Sequence, residues 1–336
     1  MKKIFTYIVV MTICLFSFPF VSTSVSETQA EKFLEVDSYN PDKAYNGTTL
    51  ISDNHDPERP RIIEVNMKGE IVWSYNLPAN LKSYTNPGFD SQILPNGNVL
   101  FLLPRNGIYE ITRSGDVVWS HLDPKCSHDA DRLPNGNTLY VYGANDNKED
   151  AEVKEISPDG KIVWSWYAKN EFDKPPYKDI FKHGWTHTNA VTRMSNGDTL
   201  ISPRNFNCLV EVDKNGKAVK IVGEKYLKDQ HDPEILPNGN ILVANHGRPN
   251  EILEIDYASG EIVWRYPVLN RDAYPVRDAN LLPNGNILIT GSTEILEVTR
   301  DKEIVWRIFM SGVKFDKPMD ASGRGFYKAQ RVVKTY

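Results

Sequence analysis

The chain has 336 residues, a net charge of −5, 25% charged and 40% hydrophobic residues. That balance is ordinary for a folded globular protein and excludes disorder and collagen-like repeats. With no basic tail and no block of like charge, nucleic acid is excluded as the expected partner, and three cysteines are too few for a disulfide scaffold.

The first thirty residues read as an export segment. Lys2 and Lys3 precede an apolar run over residues 4–21, and small residues follow, with cleavage points at Ser24, Ser26, Thr28 or Ala30. This grammar predicts a signal peptide over 1–30 and an exported protein, periplasmic or extracellular, with no membrane span once it is removed. The run is just long enough to cross a bilayer, so a retained anchor is the alternative. Cys14 lies inside the run and lacks the small-residue context of a lipoprotein box. Cys126 and Cys208 then remain, and an oxidising compartment would allow them to bridge.

Residues 31–336 read as one domain built from six copies of a unit. A turn motif recurs as Leu94-Pro95-Asn96-Gly97-Asn98, Leu133-Pro134-Asn135-Gly136-Asn137, Met194-Ser195-Asn196-Gly197-Asp198, Leu236-Pro237-Asn238-Gly239-Asn240 and Leu282-Pro283-Asn284-Gly285-Asn286. A shorter copy is Tyr45-Asn46-Gly47-Thr48. A second motif interleaves: Gly69-Glu70-Ile71-Val72-Trp73 returns around Trp119, Trp164, Trp264 and Trp306, with a copy lacking Trp at residues 216–220. A period of roughly 40–55 residues with four short strands per unit reads as an all-β, six-bladed β-propeller with four-stranded blades. Asn-Gly between apolar runs is a hairpin signal, since both residues tolerate positive φ. In the third unit the strands fall at 127–133, 138–142, 152–157 and 161–167, and no stretch carries the 3.6-residue period of a long amphipathic helix.

The ends fit a closed ring. The first unit lacks an innermost strand before Asn46, and residues 327–332 align with residues 128–133. The C-terminal strand is therefore expected to complete the first blade, which removes two exposed sheet edges. Residues 31–44 form a short arm.

Connections between blades vary in length, the longest spanning residues 168–186, and all emerge where the innermost strands begin. Variable loops on a rigid scaffold are where binding sits. Counting back from each Asn-Gly turn gives one equivalent position per blade: Phe89, His128, Asn189, His231, Arg277 and Tyr327. His187 lies two residues before Asn189 and points to the same side of its strand. The Trp series repeats, which marks packing between blades. Asp90, Asp129, Asp232 and Asp278 repeat too and read as structural acceptors. The histidines do not repeat, so they are the functional candidates. His55, His121, His183 and His246 fall off the ring, and loop polarity is the default reading for His55 and His246. Arg204 ends a strand close to His187 and Asn189, and Arg105 occupies the matching place in the second blade.

At this point the residues resemble a known family. His187-Thr188-Asn189, followed by Asn196-Gly197-Asp198-Thr199-Leu200-Ile201-Ser202 and Arg204, is similar to the central motif of the bacterial arylsulfate sulfotransferases. Gln230-His231-Asp232-Pro233-Glu234 resembles the segment holding that family's nucleophilic His, and His128-Asp129-Ala130-Asp131-Arg132 the segment of another active-site His. The resemblance implies sulfuryl transfer from a phenolic sulfate ester to a phenol acceptor without a nucleotide donor, cofactor or metal. It implies His231 as nucleophile, passing through a sulfohistidine in a ping-pong scheme, with His128, His187, Asn189 and Arg204 in support. Phe89, Tyr327 and Trp185 are candidates for apolar walls around an aryl ring. Three departures stand out. The family's additional N-terminal β-domain has no room here, Arg277 and Thr290 are the only candidates from the sixth blade, and Ala244-Asn245-His246-Gly247 stands where the family shows Asp-Asn-Gly. Three other readings remain open: a propeller that binds a ligand without chemistry, a quinoprotein-like propeller, and a zinc site built on the three His.

Overall fold

The computed structural model describes residues 33–268, 275–313 and 323–332. The expected signal peptide and Cys14 lie outside them. In four of the six repeats the tight turn before the second strand carries a proline, and Met194-Ser195-Asn196-Gly197 makes the same hydrogen bonds with Ser195 in its place. In Leu94-Pro95-Asn96-Gly97, the Gly97 N–H donates to the Leu94 carbonyl at 2.8 Å and the Leu94 N–H to the Asn98 carbonyl at 2.9 Å. Only the glycine has positive φ, at 83°. This is a type I turn closed by a left-handed glycine, with Asn96 outside the left-handed region. The pyrrolidine ring fixes φ near −65° and steers the backbone into type I. Asn96 contributes through its side chain, whose Oδ1 accepts from the Asn98 N–H at 3.0 Å.

Six antiparallel sheets result, arranged as the blades of a β-propeller. Their innermost strands are Phe326–Val332, Asp90–Ile93, Ala130–Arg132, Thr188–Arg193, His231–Ile235 and Val276–Leu281. Middle strands such as Val99–Leu103 are buried throughout, while outermost strands such as Ile71–Asn76 alternate half-buried and exposed residues. The C-terminal strand closes the first blade as expected, pairing Leu50 with Gln330 and Ile51 with Ala329. Val333 lies outside the described residues. The short arm does more than expected: Leu34–Tyr39 adds a fifth, outer strand to the last blade, with Leu34 opposite Met310. The seam is thus held from the inside by the C-terminal strand and from the outside by the arm.

The repeated tryptophans tie neighbouring blades. Each indole N–H donates to a turn carbonyl of the next blade: Trp73 to Arg113 at 2.8 Å, Trp119 to Pro158 at 2.9 Å, Trp164 to Lys214 at 3.1 Å, Trp264 to Arg300 at 2.9 Å and Trp306 to Met67 at 2.9 Å. A guanidinium lies over each ring, such as Arg113 over Trp73 at 4.0 Å. The pair adds roughly 0.5–1 kcal/mol at such part-exposed sites. In the repeat without Trp, Lys220 faces Glu211 as Trp73 faces Glu64, and its ammonium reaches the Tyr257 carbonyl and ring. A different side chain makes the same bridge.

The repeated aspartates tie the inner ring. Asp90 accepts from the Ala130 N–H at 3.1 Å and Asp129 from the Val191 N–H at 2.7 Å, each a residue of the following blade. At the axis, the Lys328 ammonium meets Asp129 at 2.6 Å, Asp232 at 3.0 Å and Asp90 at 3.5 Å. The bridge between Cys126 and Cys208 that an oxidising compartment would allow is not formed; both thiols are free and buried in separate apolar clusters. Among the described residues no helix is long and apolar enough to cross a membrane.

Candidate active site

The inner strands start at a cavity of about 300 Å³. Tyr327 lines it, while the neighbouring Lys328 lines a separate cavity bounded by the Asn-Gly turns at the other end of the axis. His128, His187, His231 and Arg204 come together in the upper cavity, as do Arg105, Arg277 and Tyr327. Five of its lining residues, Arg105, His128, Asn145, His183 and His187, hold positive φ, out of nine such non-glycine residues among those described. Left-handed backbone is costly for side chains with a Cβ and gathers where a site over-determines it. Gly88 allows the close approach that seats His128: a Cβ there would lie 2.5 Å from the His128 Cα.

His231 opens its strand opposite Ala244. Its Nδ1 lies 2.8 Å from the Asp229 carbonyl. A carbonyl only accepts, so Nδ1 carries the proton and Nε2 keeps a lone pair. His187 is set the same way by the His183 carbonyl at 2.9 Å. The backbone N–H of His187 donates to Asp146 at 3.1 Å, and that carboxylate also takes the Thr186 N–H at 2.9 Å and hydroxyl at 2.8 Å. His128 differs, because its buried Nδ1 has no hydrogen-bond partner. Its tautomer is uncommitted, so it can present an N–H or accept a proton. Its ring lies edge-on to His187 at 5.0 Å.

Burial dominates the electrostatics. It holds His231 well below the ordinary imidazole range, with His246 and Arg204 adding to the effect. Burial and then His187 and Arg204 do the same to His128. Burial and Arg204 push His187 down to about 4. Burial therefore favours the neutral form of all three imidazoles. Arg204 supplies permanent charge, with Asp229 behind it at 3.2 Å. Burial lowers Arg277 only to about 10, so it too stays cationic.

Several expected roles change. Asn189 does not line the cavity; it donates to the Gln230 carbonyl at 2.8 Å and so braces the backbone beside His231. Phe89 is buried with Leu50 and Phe101, and Trp185 packs on Phe206, so neither walls the cavity. Thr290 bonds Asp278 and faces inward. His246, expected as loop polarity, stacks on His231 with ring centroids 4.6 Å apart and planes 18° apart. Its signal was available in the register, since it follows the residue opposite His231 by two. His183 also lines the cavity, whereas His55 pairs with Asp53 and His121 lies beside Tyr140. No group of His, Cys, Asp or Glu among the described residues has the arrangement of a metal site.

Comparison with known proteins adds two findings. A family model described as Arylsulfotransferase (ASST) matches residues 34–227. No curated protein matches the chain. Among solved structures, a protein of unknown function from Bacteroides caccae is similar with a TM-score of 0.62 and 18% identity, over 84% of this chain and 98% of that one. A streptogramin B lyase has a TM-score of 0.53 and 13% identity, over 85% and 90%. A catalytically inactive virginiamycin B lyase from Staphylococcus aureus with quinupristin has 0.51 and 16%, over 84% and 89%. At such identities the likeness is one of fold.

Proposed function

The chain belongs to the arylsulfotransferase family, and we propose that it is an exported enzyme moving a sulfuryl group from a phenolic sulfate ester to a phenol through a sulfohistidine at His231. The observation that carries the reading is the tautomer of His231: with Nδ1–H committed to the Asp229 carbonyl, a bare Nε2 belongs to a ring that lines the cationic cavity. The Nε2 lone pair attacks sulfur. The N–S bond forms, the S–O bond to the aryl group breaks, and its electron pair leaves on the phenolate. Arg204 and Arg277 meet the charge on the sulfuryl and leaving oxygens. His128, with its uncommitted ring, passes a proton to the leaving oxygen and takes one back from the acceptor phenol. A bound sulfate monoanion raises the affinity of His128 for that proton, because an opposite charge favours imidazolium. In the second half-reaction the acceptor oxygen attacks sulfur, the N–S bond breaks and His231 is restored. Asn189 acts as a positioning residue. Export rests on the signal-like segment over residues 1–30.

Mass spectrometry tests the intermediate. Protein quenched after mixing with p-nitrophenyl sulfate and no acceptor is expected to carry one sulfuryl adduct on the peptide containing His231. An adduct on another histidine, or full burst turnover with none, overturns the assignment. The pH profile is a second check. Because His231 is held well below the imidazole range and p-nitrophenol is acidic enough for its anion to leave without a proton from His128, kcat/KM for this donor is expected to show no fall through the ordinary imidazole range as pH is lowered. A fall with a midpoint near 6.5 would mark an exposed imidazole as the nucleophile.

A further inference from the structure

We infer that the donor this cavity takes is dianionic: an aryl sulfate carrying a second acidic group, a ring carboxylate, that pairs with Arg105 at the rim. The inference rests on the sulfuryl-transfer reading and goes past it in naming the substrate class. Three guanidiniums, those of Arg105, Arg204 and Arg277, line the cavity, and among the described residues no carboxylate does. They belong to the second, fourth and sixth blades, so positive charge converges from three directions about 120° apart in a sixfold ring.

Their surroundings differ. Arg204 has Asp229 behind it, and Asp229 also holds the Lys182 ammonium at 3.0 Å. Arg277 is buried against the carbonyls of Phe326 at 3.0 Å and Arg324 at 3.4 Å, and among the described residues no carboxylate pairs with it. Arg105 is exposed at the rim and donates to the Asn86 carbonyl at 3.2 Å. Arg105 likewise has no carboxylate partner among the described residues. A sulfate monoester brings one negative charge at one end of the molecule. Arg204 and Arg277, which line the cavity with His231, meet that end. The third guanidinium is then unmatched, and charge complementarity sets which partner a site accepts. A carboxylate on the far side of the ring lies toward the rim, where the planar guanidinium fork binds carboxylates in two-point fashion. A phosphate monoester also carries two charges, but both at one end, which leaves Arg105 unmatched.

Calorimetry on His231→Asn, which cannot be sulfated, tests the pairing without turnover. The probes are 4-carboxyphenyl sulfate, its methyl ester and phenyl phosphate. The carboxylate form is expected to bind on the order of tenfold more tightly than its methyl ester, as one charge-assisted bond gives. Adding Arg105→Ala is expected to bring that ratio to about one. Equal affinities for the two sulfates, a ratio that survives Arg105→Ala, or tightest binding of phenyl phosphate would each overturn the inference. Turnover by the unsubstituted protein separates it from the reading beneath it. If neither sulfate is cleaved while the binding ratio stands, sulfuryl transfer fails and the dianion site survives. If both are cleaved and bind alike, the reverse holds.

Discussion

His231→Asn is expected to abolish both cleavage of p-nitrophenyl sulfate and transfer to an added phenol, by roughly 10⁴-fold or more in kcat, the scale on which removing a covalent nucleophile acts. The choice of asparagine isolates the chemistry. Its amide N–H can keep the hydrogen bond that Nδ1 gives the Asp229 carbonyl, so the strand start is held while the Nε2 lone pair is gone. Donor cleavage and transfer should fall together, because both pass through the same N–S bond. Arg204→Ala should behave differently: it removes charge stabilisation rather than the nucleophile, and a loss of about 100-fold is the usual scale for one preorganised donor. Unchanged melting of His231→Asn would show that the loss is chemical. Near-normal transfer by that variant would move the nucleophile to His128 or His187, or to direct transfer between donor and acceptor.

The comparison between these histidines shows what a sequence can carry. Ring position was legible in four of the six blades, because counting back from the Asn-Gly turns reaches the mouth there. His128, His231, Arg277 and Tyr327 were all placed this way and all line the cavity. The count failed in the second blade, where Phe89 packs with Leu50 and Phe101, and in the fourth, where His187 lines the cavity and Asn189 donates to the Gln230 carbonyl. The neighbour that a side chain bonds leaves no mark in residue spacing. Nor does a tautomer, since the carbonyls that set His187 and His231 belong to the backbone. His246 was misread for a third reason: its place depends on the partner strand, and loop polarity was the default for it as for His55. The arm at Leu34–Tyr39 was missed because its partner, Ile304–Met310, lies at the other end of the chain.

The repeated aspartates were read as structural, and their cost falls on one residue that does not repeat. Lys328→Met is expected to destabilise the ring by about 3–5 kcal/mol at pH 7, the usual result of leaving buried charge uncompensated. That corresponds to a Tm lower by roughly 10 °C for a protein of this size. Asp90, Asp129 and Asp278 are buried near the axis with Asp131 half-buried beside them, and Lys328 is the cation within ion-pair reach of Asp90, Asp129 and Asp232. Desolvation already raises all four of those carboxyls, Asp90 to about 7, against the pull of Lys328. A carboxyl raised in the folded state contributes stability that is complete below its unfolded value near 3.9 and is lost as pH rises through its folded value. Without the ammonium those folded values rise further, so the variant should lose stability steadily from about pH 4 to pH 7 and above. Its deficit relative to the parent should therefore shrink toward pH 4. Charge rather than packing is the cause only if adding Asp129→Asn recovers part of the loss, since the amide removes the charge at nearly constant volume. Thermal melts of the single and double variants at pH 4.5 and 7.5 decide it. A Lys328→Met protein melting within about 2 °C of its parent at pH 7.5, or one that Asp129→Asn makes worse, would mean that the axial lysine neutralises nothing that matters and that the inner ring is held by its backbone hydrogen bonds alone.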